Sequence, residues 1–541
     1  MNVSNAPLIS VAKPGAVKTG SLDKAKQLIS RNVISNFLSY GGNLVVAFLV
    51  APLLVHRLGH VTYGVWSLIG QVMEYSFLFD FGVRIAATRY VARHLALEQP
   101  DEINKAVTSG LVLNSISAAL ALVAGSVVTW TLPRFFPIPP ELMSSTRWSM
   151  LVLTFGIAIS FPGSLFFACV AAGSRYDLLG IRKVGPGVVR LLLLWFLLNR
   201  GCSLLTVAIV TTVAVCSGYG LDFVFTLRMF PYLRLCRKYF DAAILKLLLS
   251  FSVYAFLISV AWRVTFMTDN IVVGYFLGPV AVTFYSVGMN LAGLLRDSLG
   301  NITTLYAPLA YQMEALGEKE PLRRLFTRGS RIALVYALPG ALGLIILGPC
   351  FLGLWMGKSF TAKSGPILIL LSAEVLFNAL SFTCTQVLYA LARHRANAWL
   401  SVGNAAANLA LSVALIRWVG AVGVAWGTVI PACTVEAIIL PAYTAALLGI
   451  SPLRFYKSAV LRPLLASAPY GLWLWFCLTE GLINGYASLV LAVGSGLLLY
   501  TFVAWRLGLD TEEKAWARER FAGLKSALMA IRPAWVTTEG S

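Results

Sequence analysis

Apolar residues fall along this chain in long, nearly unbroken runs separated by short polar joints. The runs lie near residues 32–55, 62–83, 106–130, 148–172, 184–199, 203–227, 248–275, 280–307, 332–356, 365–391, 397–416, 420–449, 458–478 and 482–505. A helix needs about 20 apolar residues to cross roughly 30 Å of hydrocarbon, and only a segment that satisfies its own backbone can remain there. The pattern therefore predicts an all-α polytopic membrane protein of about fourteen transmembrane helices. Composition agrees, since 58% of the 541 residues are hydrophobic and 12% charged, against about 25% charged in soluble domains.

Charge changes the picture next. Lys and Arg number 43 against 23 Asp and Glu, a net charge of +20, which in a soluble protein would suggest nucleic acid. Here the cations follow the joints. With the N-terminus assigned to the cytoplasm, roughly 33 fall in inner loops and roughly 7 in outer ones, as the positive-inside rule requires, while Arg190, Arg263 and Arg296 lie within spans. The charge thus reports orientation, both termini are expected in the cytoplasm, and no nucleic-acid partner is expected. Residues 1–30 hold no apolar stretch of signal-peptide type and read as a cytoplasmic tail. Residues 507–541 read as a second one, either an amphipathic helix on anionic lipid or a solvated helix.

The joints are short, so no soluble catalytic domain is available, and no GxxxxGK[ST] phosphate loop is present. A non-enzymatic secondary transporter fits; a membrane sugar transferase or polymerase would need a larger outer loop bearing acids. The eight cysteines show no paired spacing, and His56, His60, His94 and His394 form no ligand set with them, so no metal site is expected.

An internal repeat organises the spans. At an offset of 219 residues "HRLGHVTYGVWSLIGQ" (56–71) overlies "YFLGPVAVTFYSVGMN" (275–290). Leu58-Gly59 then matches Leu277-Gly278, Ser67 matches Ser286, and Gln71 matches Asn290. Both copies fall between the first and second span of a six-helix set. The expected organisation is an N-lobe at 31–227, a cytoplasmic linker at 228–247, a C-lobe at 248–449, and helices 13 and 14 at 450–506. The linker, "RMFPYLRLCRKYFDAAILK", alternates cations with apolar residues and suits a surface helix, with a plain loop as the alternative.

Three segments carry a family resemblance: "ISNFLSYGGNLVVAFLVAPLLVHRLGHVTYGVWSLI" (34–69), "MTDNIVVGYFLGPVAVTFYSVG" (267–288) and "WVGAVGVAWGTVI" (418–430). With their spacing, the chain resembles, over about residues 31–505, the polysaccharide flippases of the multidrug/oligosaccharidyl-lipid/polysaccharide exporter superfamily. The resemblance implies a two-lobed bundle around a central cavity. Such a bundle flips an undecaprenyl-pyrophosphate-linked oligosaccharide across the bacterial inner membrane for O-antigen, capsule or exopolysaccharide synthesis. Membrane lipids and a polysaccharide polymerase with its export machinery would be partners. A drug or metabolite antiporter of the same superfamily is the alternative.

A flippase for so polar a head needs cations for phosphates and polar groups for sugars, and ionisable residues inside spans are functional candidates. Arg263 and Asp269 lie six residues apart in span seven, with Asn270 adjacent to the acid; in span eight Asn290, Asp297 and Asn301 share one helical face, with Arg296 beside it. Arg263 with Asp297, or Arg296 with Asp269, could neutralise one another; equally, Arg263 or Arg296 could meet a substrate phosphate. The resemblance adds weight to Asp269, since an acid shortly before the segment ending in Leu277-Gly278 recurs in that family. Asp269, Asp297, Glu374 and Glu436 are the candidates for coupling to H+ or Na+; no other cofactor is expected. Asn36, Tyr40 and Asn43 share a face that suits either sugar contact or helix packing. At the end of span two, "FLFDFGVRIAATRYVARH" sets Asp80 four residues before Arg84, so the two can pair. Arg84 and Arg89 would anchor topology there and could also gather an arriving pyrophosphate.

Overall fold

The computed structural model describes residues 19–508 apart from 81, 174, 199–202, 250–252, 304–309, 312, 315 and 318, together with residue 514. Most of both expected tails therefore lies outside the described residues. Among the described residues, all regular structure is helical.

The first half comprises α1 (Thr19–Glu74), α2 (Val83–Ala96), α3 (Pro100–Thr131), α4 (Pro140–Ala172), α5 (Tyr176–Leu198) and α6 (Leu204–Met229). After it come α7 (Ala242–Leu249), α8 (Val253–Leu277), α9 (Pro279–Thr303), α10 (Lys319–Ile346), α11 (Gly348–Met356), α12 (Lys358–Ala390), α13 (His394–Val419), α14 (Ala421–Ala432) and α15 (Leu440–Leu447). A π-helical turn, Cys433–Ile439, joins the last two. The chain ends its described course in α16 (Pro452–Phe455), α17 (Arg462–Thr479) and α18 (Tyr486–Val503). Ten segments are long and apolar enough to span a membrane.

α1 contains two expected spans, because the chain turns at Gly59 (φ 76°, ψ 165°) without leaving helix on either side. The α8–α9 joint turns at Gly278 with φ 81°. Both are conformations that an L side chain strains, so the two glycines matched by the repeat are the residues that permit the two turns.

Within the first half α4 packs on α3 and α6, and α5 bridges α6 to α1. Within the second, α13 packs on α8 and α14, and α12 on α9 and α10. The halves meet where α1 crosses α8 and α9, and one apolar core, with Val65, Leu68 and Ile69 against Val282, Tyr285 and Met289, runs through that seam. α17 and α18 pack on each other and reach the rest through α10.

The 228–247 linker is not one helix. Pro231 removes a backbone donor shortly after α6 ends, and only a turn at Arg237–Tyr239 precedes α7. The loop is pinned to α3 instead: Asn104 donates to the Tyr232 carbonyl (3.4 Å) and accepts from the Arg234 amide (2.9 Å), while the Asp241 amide donates to Ser109 (2.9 Å).

Candidate functional site

Polar side chains concentrate along the seam between the halves. Ser286 donates to Ser67 at 3.2 Å, and the Thr283 hydroxyl donates to the His60 carbonyl at 2.5 Å. A Cβ on Gly64 would run into the Pro279 carbonyl, so only glycine lets α1 and α9 approach this closely. The His60 ring stacks on Phe284 at 5.3 Å, Phe136 meets Tyr275 edge-on at 6.5 Å, and Trp355 donates to the Phe48 carbonyl at 3.1 Å. These contacts close the seam at the end marked by Gly59 and Gly278.

Further along, the Tyr40 hydroxyl donates to the Leu294 carbonyl, and Tyr75 shares a short hydrogen bond with Thr268. Asn43 and Asn290 are exposed. Arg263 stays within the seam, donating to the Glu74 carbonyl (3.1 Å) and to Ser259 (3.0 Å) rather than pairing with Asp297. Asn301 falls outside the described side chains.

A second cluster lies inside the second half. Arg296 pairs with Glu374 at 2.5 Å, with its guanidinium over Phe266 at 3.9 Å, and both charged side chains are buried. Asn378 donates to Glu374 (2.5 Å) and to Glu436 (2.6 Å), and Asn404 donates to Glu436 (3.1 Å). The suggested Arg296–Asp269 pair is replaced: Asp269 accepts from Tyr285 (2.6 Å) and Thr428 (3.0 Å), and Thr428 accepts from Asn408 (2.9 Å). Asp297 is exposed, one residue round the helix from Arg296. Together the cluster sets one guanidinium against two carboxyls, Glu374 and Glu436, so neutrality in an apolar surrounding requires one further positive charge, a proton or a metal cation.

Arg84 and Arg89 are exposed on α2, outside this seam. The expected Asp80–Arg84 pair is not formed; the Arg84 guanidinium instead sits over Phe167 at 5.5 Å. Two groups went unassigned in the sequence. One is the Arg182–Asp222 ion pair (2.7 Å) joining α5 to α6, whose members stand 40 residues apart. The other is the row Asn397, Asn404, Asn408 and Ser412 on α13, all buried. Recurrence of small polar residues at helical spacing was the signal for that row.

Closely packed helices, halves related by a repeat, a polar seam between them and buried charges with no catalytic domain define a two-lobed transporter-type membrane protein. The comparisons with known proteins carry this further. Residues 29–311 match the family model described as "Polysaccharide biosynthesis protein", and the chain belongs to that family. It is 20% identical to the uncharacterized membrane protein EpsK of Bacillus subtilis, over 92% of this chain and 99% of that one. It is 25% identical to the probable flippase AglR of Haloferax volcanii, over 46% of this chain and 51% of AglR. Among solved structures, an inward-facing multidrug resistance MATE transporter of the MOP superfamily superposes with TM-score 0.67 at 14% identity, covering 77% of this chain and 96% of that one. The lipid II flippase MurJ, in an inward closed conformation, superposes with TM-score 0.62 at 14% identity, covering 87% and 97%. The chain thus shares the two-lobed MATE and MurJ fold as a multi-pass protein of the bacterial inner membrane.

Proposed function

We propose that this protein is a flippase that carries an undecaprenyl-pyrophosphate-linked oligosaccharide from the cytoplasmic to the outer leaflet for polysaccharide synthesis. The observation that carries the reading is the seam: polar along its length, closed at the Gly59 and Gly278 end by Ser67–Ser286 and Thr283–His60, and lined by exposed Asn43 and Asn290. With the termini in the cytoplasm, that closed end faces outward. Rocking of the two halves would open it while closing the other, which is alternating access about a pseudo-two-fold axis. Tyr40, Asn43, Asn290 and Asn301 would meet sugars, Arg263 would meet the diphosphate, and exposed Arg84 and Arg89 would gather the anionic head at the inner mouth. Arg296, already neutralised by Glu374, would act through that pair.

Energy would come from an ion. Asp269, held by Tyr285 and Thr428, and the Glu374–Glu436 pair are the groups able to take a proton or sodium, with exposed Asp297 a further candidate. A cation bound in one state only would bias the two conformations. The membrane potential, about 2.3 kcal/mol per charge per 100 mV, would also act on the anionic head. A polysaccharide polymerase is the partner that would receive the product.

The test is reconstitution of the full chain into liposomes carrying a fluorescent undecaprenyl-pyrophosphate oligosaccharide, with leaflet position read by quenching. Translocation above that of empty liposomes supports the reading. Its absence, together with proton-driven efflux of a cationic dye, would favour the superfamily's antiporters instead.

A further inference from the structure

Three arginines lie within the membrane spans, and their surroundings differ. Arg296 faces Glu374, and Arg263 is held by the Glu74 carbonyl and Ser259. Arg190 has no such partner. Among the described residues nothing accepts a hydrogen bond from it, no carboxylate pairs with it, and its Nε is buried and unsatisfied while the rest of the side chain is partly exposed. It stands about 21 Å along α5 from the Tyr176 end and about 12 Å from the Leu198 end, far from either surface of a bilayer. A lone cation at such depth is costly, and it persists only where water or an anion can reach it.

Its neighbours indicate which. The hydroxyl of Tyr63 lies beside Arg190 and among the side chains of Ser67, Ser286 and Asn290. Tyr63, Ser67 and Arg190 come from the first half; Ser286 and Asn290 come from the second. The group sits directly beneath the contacts of His60 with Thr283 and of Gly64 with Pro279 that close the seam. The second half carries no counterpart, because the 219-residue offset sets Leu409 against Arg190. The seam therefore holds one such position, not two.

From these observations we infer that Arg190, with Tyr63, Ser67, Ser286 and Asn290, forms a single oxyanion site between the halves that takes a phosphate or carboxylate of the translocated head group. A guanidinium offers parallel donors to such a group, and the hydroxyls and the Asn290 amide complete its shell. Because the shell draws on both halves, an occupant contacts the two surfaces that must part when the closed end opens. The inference rests on the flippase reading for the identity of its ligand, though not for the existence of the anion site.

Two measurements test it. In the first, the full-length protein in lipid nanodiscs is titrated with undecaprenyl pyrophosphate, with a glucuronate-containing oligosaccharide and with a neutral oligosaccharide. Arg190→Gln should weaken binding of the anionic probe at least tenfold and leave the neutral one unchanged, while Arg190→Lys should stay within a few-fold of wild type. Wild-type binding of undecaprenyl pyrophosphate assigns the site to the diphosphate, and binding of the acidic sugar alone assigns it to the glycan. Equal affinity of wild type and Arg190→Gln for the bound anion overturns the site.

The second measurement needs no substrate. Asn290→Cys is labelled with an anionic and a neutral methanethiosulfonate, with the rate of the parent protein subtracted. Adding Arg190→Gln should lower the anionic-to-neutral rate ratio about fivefold; an unchanged ratio overturns the site whatever the protein carries. A fallen ratio in a wild-type protein that binds none of the three probes would keep the anion site and remove the lipid-linked glycan as its ligand.

Discussion

Ser67 and Ser286 are 219 residues apart and hydrogen-bonded to each other at 3.2 Å. The same offset relates Gly59 to Gly278, both in left-handed backbone, and it pairs His60 with Pro279 and Gly64 with Thr283. The contacts made are His60 with Thr283 and Gly64 with Pro279. Each contact is thus the image of the other, as in an isologous interface, where residue i meets j and j meets i. Equivalent residues touch only near the axis relating them, so Ser67–Ser286 marks where the pseudo-two-fold axis crosses the seam.

A disulfide at that pair should hold the closed end shut. In Ser67→Cys/Ser286→Cys, mild oxidation should give a fast intramolecular cross-link, visible as a mobility shift, and stop translocation in the liposome assay. Reductant should restore it. Cross-linking that leaves translocation intact would mean that the halves need not part here.

Gly64 should tolerate no side chain. Gly64→Ala forces the new methyl against the Pro279 backbone, which a flexible side-chain rearrangement cannot relieve. The closed end should loosen, raising the labelling rate of a cysteine at Ser67 severalfold. Gly70, with nothing near its would-be Cβ, provides the control, and Gly70→Ala should leave that rate alone.

Much of this was legible in the chain. The apolar runs marked the spans because lipid demands uninterrupted helices, and the repeat marked the joint because only glycine accepts the backbone needed at Gly59 and Gly278. Partner choice was less legible. Arg296 could have met acids on several helices; adjacent residues on a helix point about 100° apart, so Arg296 faces α12 while Asp297 does not. The 78 residues between Arg296 and Glu374 conceal a contact that α9 against α12 makes direct. The linker misled for a plainer reason: its alternation suits a helix, yet Pro231 forbids one.

Glycine at the two joints should matter for stability as well as for shape. Gly59→Ala forces a side chain into a backbone region that costs roughly 1–3 kcal/mol to occupy. Thermal unfolding in detergent should shift down by several degrees for Gly59→Ala and for Gly278→Ala alike. An unshifted midpoint in both would show that the turns relax at no cost.

The Arg296–Glu374 pair should behave as a buried charge that suffers when halved and not when replaced whole. Removing one partner leaves the other charge in an apolar surrounding, which typically costs about 3–5 kcal/mol, whereas exchanging both for apolar residues of similar volume is often neutral. Arg296→Met and Glu374→Met should each lower the unfolding midpoint strongly, and the double variant should recover most of the loss. Asn378 and Asn404 complicate Glu374→Met, because both also serve Glu436. Glu436→Gln therefore belongs in the series: it keeps an amide oxygen for those donors while removing the second carboxylate. If Glu436 carries the coupling cation, Glu436→Gln should leave the fold stable and abolish the dependence of translocation on an imposed proton or sodium gradient. Retained gradient dependence would exclude Glu436 as the coupling group and leave Asp269, on its separate shell of Tyr285 and Thr428, to be tested by Asp269→Asn in the same assay.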